Sequence, residues 1–133
     1  MKKTLIMTAA VAVTVICFSF RPAEKKPWNA PAKDAAVANP VKSSPASIAA
    51  GKAVWEKKCA SCHGKTGLGD GTKASELKTD PGDFSTAEFQ GQSDGSLFYK
   101  TSEGRDDMPS YKKKIDNPTD IWNVVTFLRT LKK

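Results

Sequence analysis

The chain carries Gly51-Lys52-Ala53-Val54-Trp55-Glu56-Lys57-Lys58-Cys59-Ala60-Ser61-Cys62-His63. Its last five residues have the C-x-x-C-H spacing of a c-type haem attachment site. The chemistry explains the spacing. Two cysteines three positions apart sit on neighbouring points of one helical turn, so their thiols reach the two vinyl groups of one porphyrin and form thioethers. A histidine directly after the second cysteine meets the iron from the same side. Two other readings stand beside this one. A disulfide between Cys59 and Cys62 is compatible with an exported protein. A thioredoxin-like dithiol needs a βαβ pattern, which the sequence does not show. Structural zinc needs four donors, and only three cluster here.

Upstream, residues 1–20 have the pattern of an export signal. Lys2 and Lys3 form a positive start, and Leu5 to Phe20 follow as a mostly apolar run. That run is short for a membrane span, which needs roughly 18–20 residues. Cys17 lies inside it and is read first as a small apolar residue. Lipidation at Cys17 after cleavage, and retention of the run as an uncleaved anchor, are the two alternatives. Each places the rest of the chain outside the cytoplasm, in the periplasm or associated with the outer side of the cytoplasmic membrane. Covalent haem attachment takes place there, so the leader and the C-x-x-C-H motif support each other.

Residues 21–46 hold five of the chain's eight prolines: Pro22, Pro27, Pro31, Pro40 and Pro45. Such a stretch buries little apolar surface and is expected to be an extended tether. Trp28 is its exception, and docking on the domain is the favoured reading for it. Residues 47–133 are expected to form the folded domain, all-α and small enough that a bound apolar group at its centre would help it fold. Three helices are predicted. The first starts at Ser44, with Pro45 in its first turn, and places Ile48, Gly51, Val54 and Trp55 at helical spacing. The second runs from about Asp94 to Gly104, with Leu97, Phe98 and Thr101 inward. The third is capped by Asn117, has Pro118 at its first position, and carries Ile121, Val124, Val125, Leu128 and Leu131 on one stripe. The glycine-rich stretch between Cys62 and Asp94 is irregular, and no segment alternates as a strand does.

The chain has a single histidine and three methionines. Met1 and Met7 fall in the leader. Met108, in Asp106-Asp107-Met108-Pro109-Ser110, is therefore the methionine left for the domain. A thioether in a polar loop is an odd choice for core packing. As the second axial ligand beside His63, it would raise the reduction potential and keep small molecules off the iron.

These features together resemble the class I c-type cytochromes, in particular small bacterial monohaem ones, over about residues 44–133. Gly51 and Trp55 match the family's glycine and aromatic eight and four residues before the first haem cysteine. Met108-Pro109 matches its distal methionine loop. Trp122-Asn123-Val124-Val125-Thr126-Phe127-Leu128-Arg129 is similar to its C-terminal helix. The stretch after His63, Gly64-Lys65-Thr66-Gly67-Leu68-Gly69-Asp70-Gly71, is similar to many bacterial members. The resemblance implies a class I cytochrome c fold, crossed N- and C-terminal helices around one covalently bound haem c, with Gly51 against Phe127 at the crossing. It also implies a proline carbonyl against the proximal histidine, for which Pro81 is the residue in the right order.

The function expected is single-electron transfer, without substrate chemistry of its own and so not an enzyme. The chain is read first as a carrier shuttling electrons outside the cytoplasm. The alternative is a haem-bearing subunit of a larger oxidoreductase complex; a gas-binding haem domain ranks behind both, since Met108 would close the site. With 21 basic and 14 acidic residues the net charge is +7, which suits redox partner proteins with an acidic docking surface. Nucleic acid is not the expected partner: the lysines are scattered and the arginines number only Arg21, Arg105 and Arg129. A membrane tether through the N-terminus is a further expectation.

Overall fold

The computed structural model describes residues 27–133. The leader, with Lys2, Lys3 and Cys17, lies outside the described residues. Among the described residues no helix is long and apolar enough to cross a membrane.

The chain first makes one turn of helix, α1 (Ala32–Ala35). Helix α2 (Pro45–Lys58) begins at Ser44, whose side chain accepts from the Ser47 backbone N–H while the Ser47 hydroxyl accepts from that of Ser44. This reciprocal cap satisfies two otherwise orphaned donors. One further turn, α3 (Ala60–His63), carries the second half of the cysteine motif, and Gly64 ends it at φ 83°. A 3₁₀ turn (Ala74–Glu76) and the short α4 (Ala87–Gln90) punctuate the glycine-rich stretch. Ser93 caps α5 (Asp94–Glu103), and Asn117 caps α6 (Pro118–Arg129), with Pro118 in the first turn. No strand is present among the described residues; Arg105 and Met108 form an isolated bridge. The fold is all-α, as expected.

The core forms where α2 and α6 cross. Trp55, Val124, Val125, Phe127 and Leu128 are buried there, with Leu97 of α5. Helix α6 is buried at every position from Ile121 to Leu128, so its apolar stripe is wider than one face. Gly51 makes the crossing close. A Cβ at that position would overlap the Asn123 carbonyl and come within 3.0 Å of Phe127 Cβ. The tightest neighbour is thus the α6 backbone itself, with Phe127 next to it.

Arg129 ties the end of α6 to its neighbours. Its guanidinium donates to the Asp94 carboxylate at 2.6 and 2.8 Å, to Gln90 O at 2.9 Å and to Gln92 O at 2.6 Å. The expectation of an extended tether over residues 21–46 does not hold for residues 27–46. Helix α1 packs on α5. The Ser93 hydroxyl donates to Ala35 O at 2.7 Å, and Asn39 Nδ2 donates to Thr126 Oγ1 at 3.2 Å and to Trp122 O at 3.4 Å. Gly95 leaves room for the carbonyls of Asp34 and Val37. The segment has little apolar surface of its own, but α5 and α6 supply partners for its backbone and amide groups. That is what an isolated composition argument leaves out.

Candidate haem site

Cys59 lies at the joint of α2 and α3, and Cys62 and His63 lie on α3. Both cysteines are free thiols, Cys59 buried and Cys62 half-buried. Burial, with a smaller contribution from Cys62, pushes the Cys59 thiol up to about 12. It is therefore a neutral S–H in the unliganded protein.

His63 is held on three sides. Its Nδ1 lies 3.0 Å from Pro81 O. Its ring centroid lies 4.7 Å from that of Phe84 and 5.7 Å from that of Trp55. Trp55 in turn donates its Nε1–H to Gly64 O at 3.1 Å. Burial lowers the pKa of His63, while the Pro81 carbonyl acts the other way. The neutral ring with Nδ1–H donated to Pro81 leaves Nε2 as the lone-pair nitrogen, the tautomer a metal ligand needs.

The glycine-rich stretch folds back to build this wall. Gly69 N donates to His63 O at 2.9 Å, Lys73 N to Ser61 O at 2.8 Å and Phe84 N to Gly67 O at 2.7 Å. Gly67 and Gly69 adopt positive φ, which glycine enters at little steric cost.

The opposite wall is the loop between α5 and α6. Gly104 (φ 69°) turns the chain out of α5, and Arg105 and Met108 exchange two backbone hydrogen bonds of 2.9 Å. Asp106 takes the first central place of that two-residue turn at φ 52°, a left-handed conformation that aspartate enters more readily than most residues. Met108 is half-buried and packs against a second apolar cluster of Tyr111, Ile115 and Ile121. The Tyr111 hydroxyl donates to Lys58 O at 2.6 Å, and burial, then proximity to Cys59 and Cys62, pushes that hydroxyl up to about 12.

Between the two walls lies a cavity of about 540 Å³. Cys59, Cys62, His63, Pro81 and Met108 all line it. The volume falls within the roughly 300–1,000 Å³ of cofactor and small-molecule sites. Its donors are two free thiols, one neutral imidazole and one thioether, and apolar Leu97, Val124 and Leu128 form part of its lining. This set fits a haem held by thioethers. A thioredoxin-like dithiol needs a βαβ unit, and no strand lies among the described residues.

Residues 46–128 match the family described as cytochrome c oxidase, cbb3-type, subunit III. The chain belongs to this c-type cytochrome family. Among solved structures, this cytochrome is similar to a chain of the Kuenenia stuttgartiensis reducing HAO-like protein complex Kustc0457/Kustc0458. The identity is 30%, the TM-score 0.64, and the match covers 71% of the cytochrome but only 47% of that chain. It is also similar to the KustC0563 c-type cytochrome, at 26% identity and TM-score 0.54, covering 62% of this chain and 98% of that one. No curated relative matches. Membership in this family supports a haem electron-transfer role and implies covalently bound haem c.

Sequence reasoning missed several residues of this site. Phe84 stacks on Phe89 at 4.0 Å while flanking His63. Trp28, expected to dock on the domain, does so: it lines the cavity, with Arg105 over its ring at 4.8 Å and Lys100 at 5.6 Å. Burial and the nearby Arg105 lower the pKa of Lys100. The aromatic character of Phe84 was the available signal. Nothing local marks where a chain reversal will put it.

Proposed function

We propose that this cytochrome is a single-electron carrier working outside the cytoplasm, with one haem c held by Cys59 and Cys62 and ligated axially by His63 and Met108. The observation that carries the reading is the shared cavity. Two thiols, one imidazole and one thioether, separated by 49 positions between Cys59 and Met108, line the same space. When bound, haem iron supplies a one-electron couple whose potential the axial ligands set. Each residue then has a separate task. The cysteines fix the porphyrin in one orientation. The Pro81 carbonyl holds the Nδ1–H of His63 and orients the ring. Met108, on the same cavity, would supply the thioether ligand and so shut out exogenous ligands, which speaks against gas binding.

Lys58, Lys100 and Arg105 line the cavity, and Lys112, Lys113 and Lys114 are exposed after the Met108 loop. Lys112 is partly engaged, its ammonium 2.9 Å from the Glu103 carboxylate. The remaining positive rim suits an acidic partner surface and would raise the encounter rate. A second reading, a subunit delivering electrons within a larger oxidoreductase, is favoured by the family's description as an oxidase subunit and by the similarity to a chain of a protein complex.

Two experiments test this. The oxidised protein is expected to show the weak far-red absorbance band of methionine–iron ligation that the resemblance implies, and Met108→Ala to lose it. A wild-type spectrum without that band rejects the ligand assignment. Purification from native membranes separates the two readings: a carrier comes away alone at moderate salt, a subunit comes with its complex.

A further inference from the structure

The loop that carries Met108 is anchored locally at both ends. Gly104 and the Arg105–Met108 pair shape its start. Tyr111 secures its end, through its backbone N–H to Ser102 O at 3.1 Å and its hydroxyl to Lys58 O. One side chain of the loop reaches the segment that contains Pro81. Asp107 Oδ2 accepts from Lys78 N at 2.8 Å, from Thr79 N at 3.1 Å and from Thr79 Oγ1 at 3.2 Å. Asp107 precedes Met108 directly, and Thr79 lies two residues before Pro81. All four line the same cavity.

We propose that Asp107 is a positioning residue that ties the wall of Met108 to the wall of Pro81 and so sets how firmly Met108 is held in its axial position. The inference rests on the His63/Met108 reading and adds to it a group that couples the two sides. Three donors on one carboxylate oxygen make a charge-assisted contact, stronger than a neutral one. Its partners are exposed, so water replaces the carboxylate if it is lost. Truncation should therefore cost the fold little. What it releases is the tip of the loop, and with it the thioether.

Amide hydrogen exchange in the wild-type holoprotein gives the first test and needs no variant. The Lys78 and Thr79 amides, though on an exposed segment, are expected to exchange on the order of tenfold more slowly than unbonded ones. Exchange at the free rate overturns the proposal. In the second test, Asp107→Ala is expected to weaken the far-red methionine band and speed carbon monoxide binding to the reduced protein by on the order of tenfold. Asp107→Asn keeps an acceptor oxygen and is expected to stay nearer to wild type. If wild-type protein shows no band, the ligand reading fails and the proposal with it. If the band is present and lost in Met108→Ala, but Asp107→Ala retains both band and wild-type carbon monoxide rate, the role of Asp107 alone is refuted.

Discussion

The two walls of the cavity are built by different physics. The wall around His63 is apolar and crowded: Trp55, Phe84 and the buried Cys59 pack beside the imidazole, and the α2–α6 crossing lies directly behind. The wall around Met108 is a loop of exposed aspartates held by a few hydrogen bonds and one small apolar cluster, Tyr111, Ile115 and Ile121. Burial of aromatic and aliphatic side chains contributes about 1.5–3 kcal/mol per residue, and many such terms hold the first wall. A hydrogen bond contributes only about 0.5–1.5 kcal/mol net, and few hold the second. The first wall should therefore persist under any change short of unfolding. The second is where ligation, and hence potential, can be adjusted by single residues.

The contrast can be broken most severely at the cysteines. Replacing both Cys59 and Cys62 by alanine is expected to remove haem staining from the denatured protein. It should also abolish cooperative thermal unfolding and much of the helical circular dichroism, because the cavity then lacks its apolar filling. A cooperative, helical apo-domain would show that the first wall stands on protein contacts alone. Gly51→Leu attacks the frame behind that wall. Its side chain meets the Asn123 carbonyl, which cannot move without α6, so the loss is expected to reach or exceed the roughly 1–3 kcal/mol of ordinary overpacking. Chemical denaturation measures it, and an unchanged midpoint would mean that the helices do not meet there.

Arg129→Met keeps most of the side-chain bulk while removing the bonds to Asp94, Gln90 and Gln92. About 1–3 kcal/mol is expected, as for hydrogen bonds to a charged group, with no change in the haem spectrum; a spectral shift would show that this corner supports the ligands directly. Reversing Lys112, Lys113 and Lys114 to glutamate should leave stability and potential nearly as they were. Electron transfer with the physiological partner should slow by about tenfold at low salt, with a flatter salt dependence. A wild-type rate at low ionic strength would place docking elsewhere. The smallest effect is expected from Trp28→Ala, below about 1 kcal/mol for partly exposed cation–π contacts, read as a small drop in melting temperature. A loss of several kcal/mol would make residues 27–39 part of the frame.

Much of this was legible in local pattern. Ser44-Pro45 and Asn117-Pro118 announce helix starts because capping and proline chemistry act within one turn. The i, i+3, i+4 stripe of α6 announces a buried helix, and Cys59, Cys62 and His63 announce their chemistry because neighbours in sequence share one turn. The short helices α1 and α4 were not legible, since a single turn carries no periodicity. Residues 27–46 read as a tether because their partners, Ser93, Trp122 and Thr126, lie more than fifty residues away.

What local chemistry settled, then, is the helices, their caps and the identity of the thiol and imidazole groups; each of these depends on atoms within a turn or two of chain. Pro81 against His63 was named only through the family resemblance and Trp28 only as docked somewhere on the domain; tertiary structure alone decided where Trp28 lies, that Arg129 joins three elements, and that Asp107 spans from one wall to the other. These are contacts between segments 18 to 77 residues apart. Their partners are backbone carbonyls, amides and ring faces, which every segment possesses. Only the close approach imposed by the α2–α6 crossing and the folded-back glycine loop selects which of them meet.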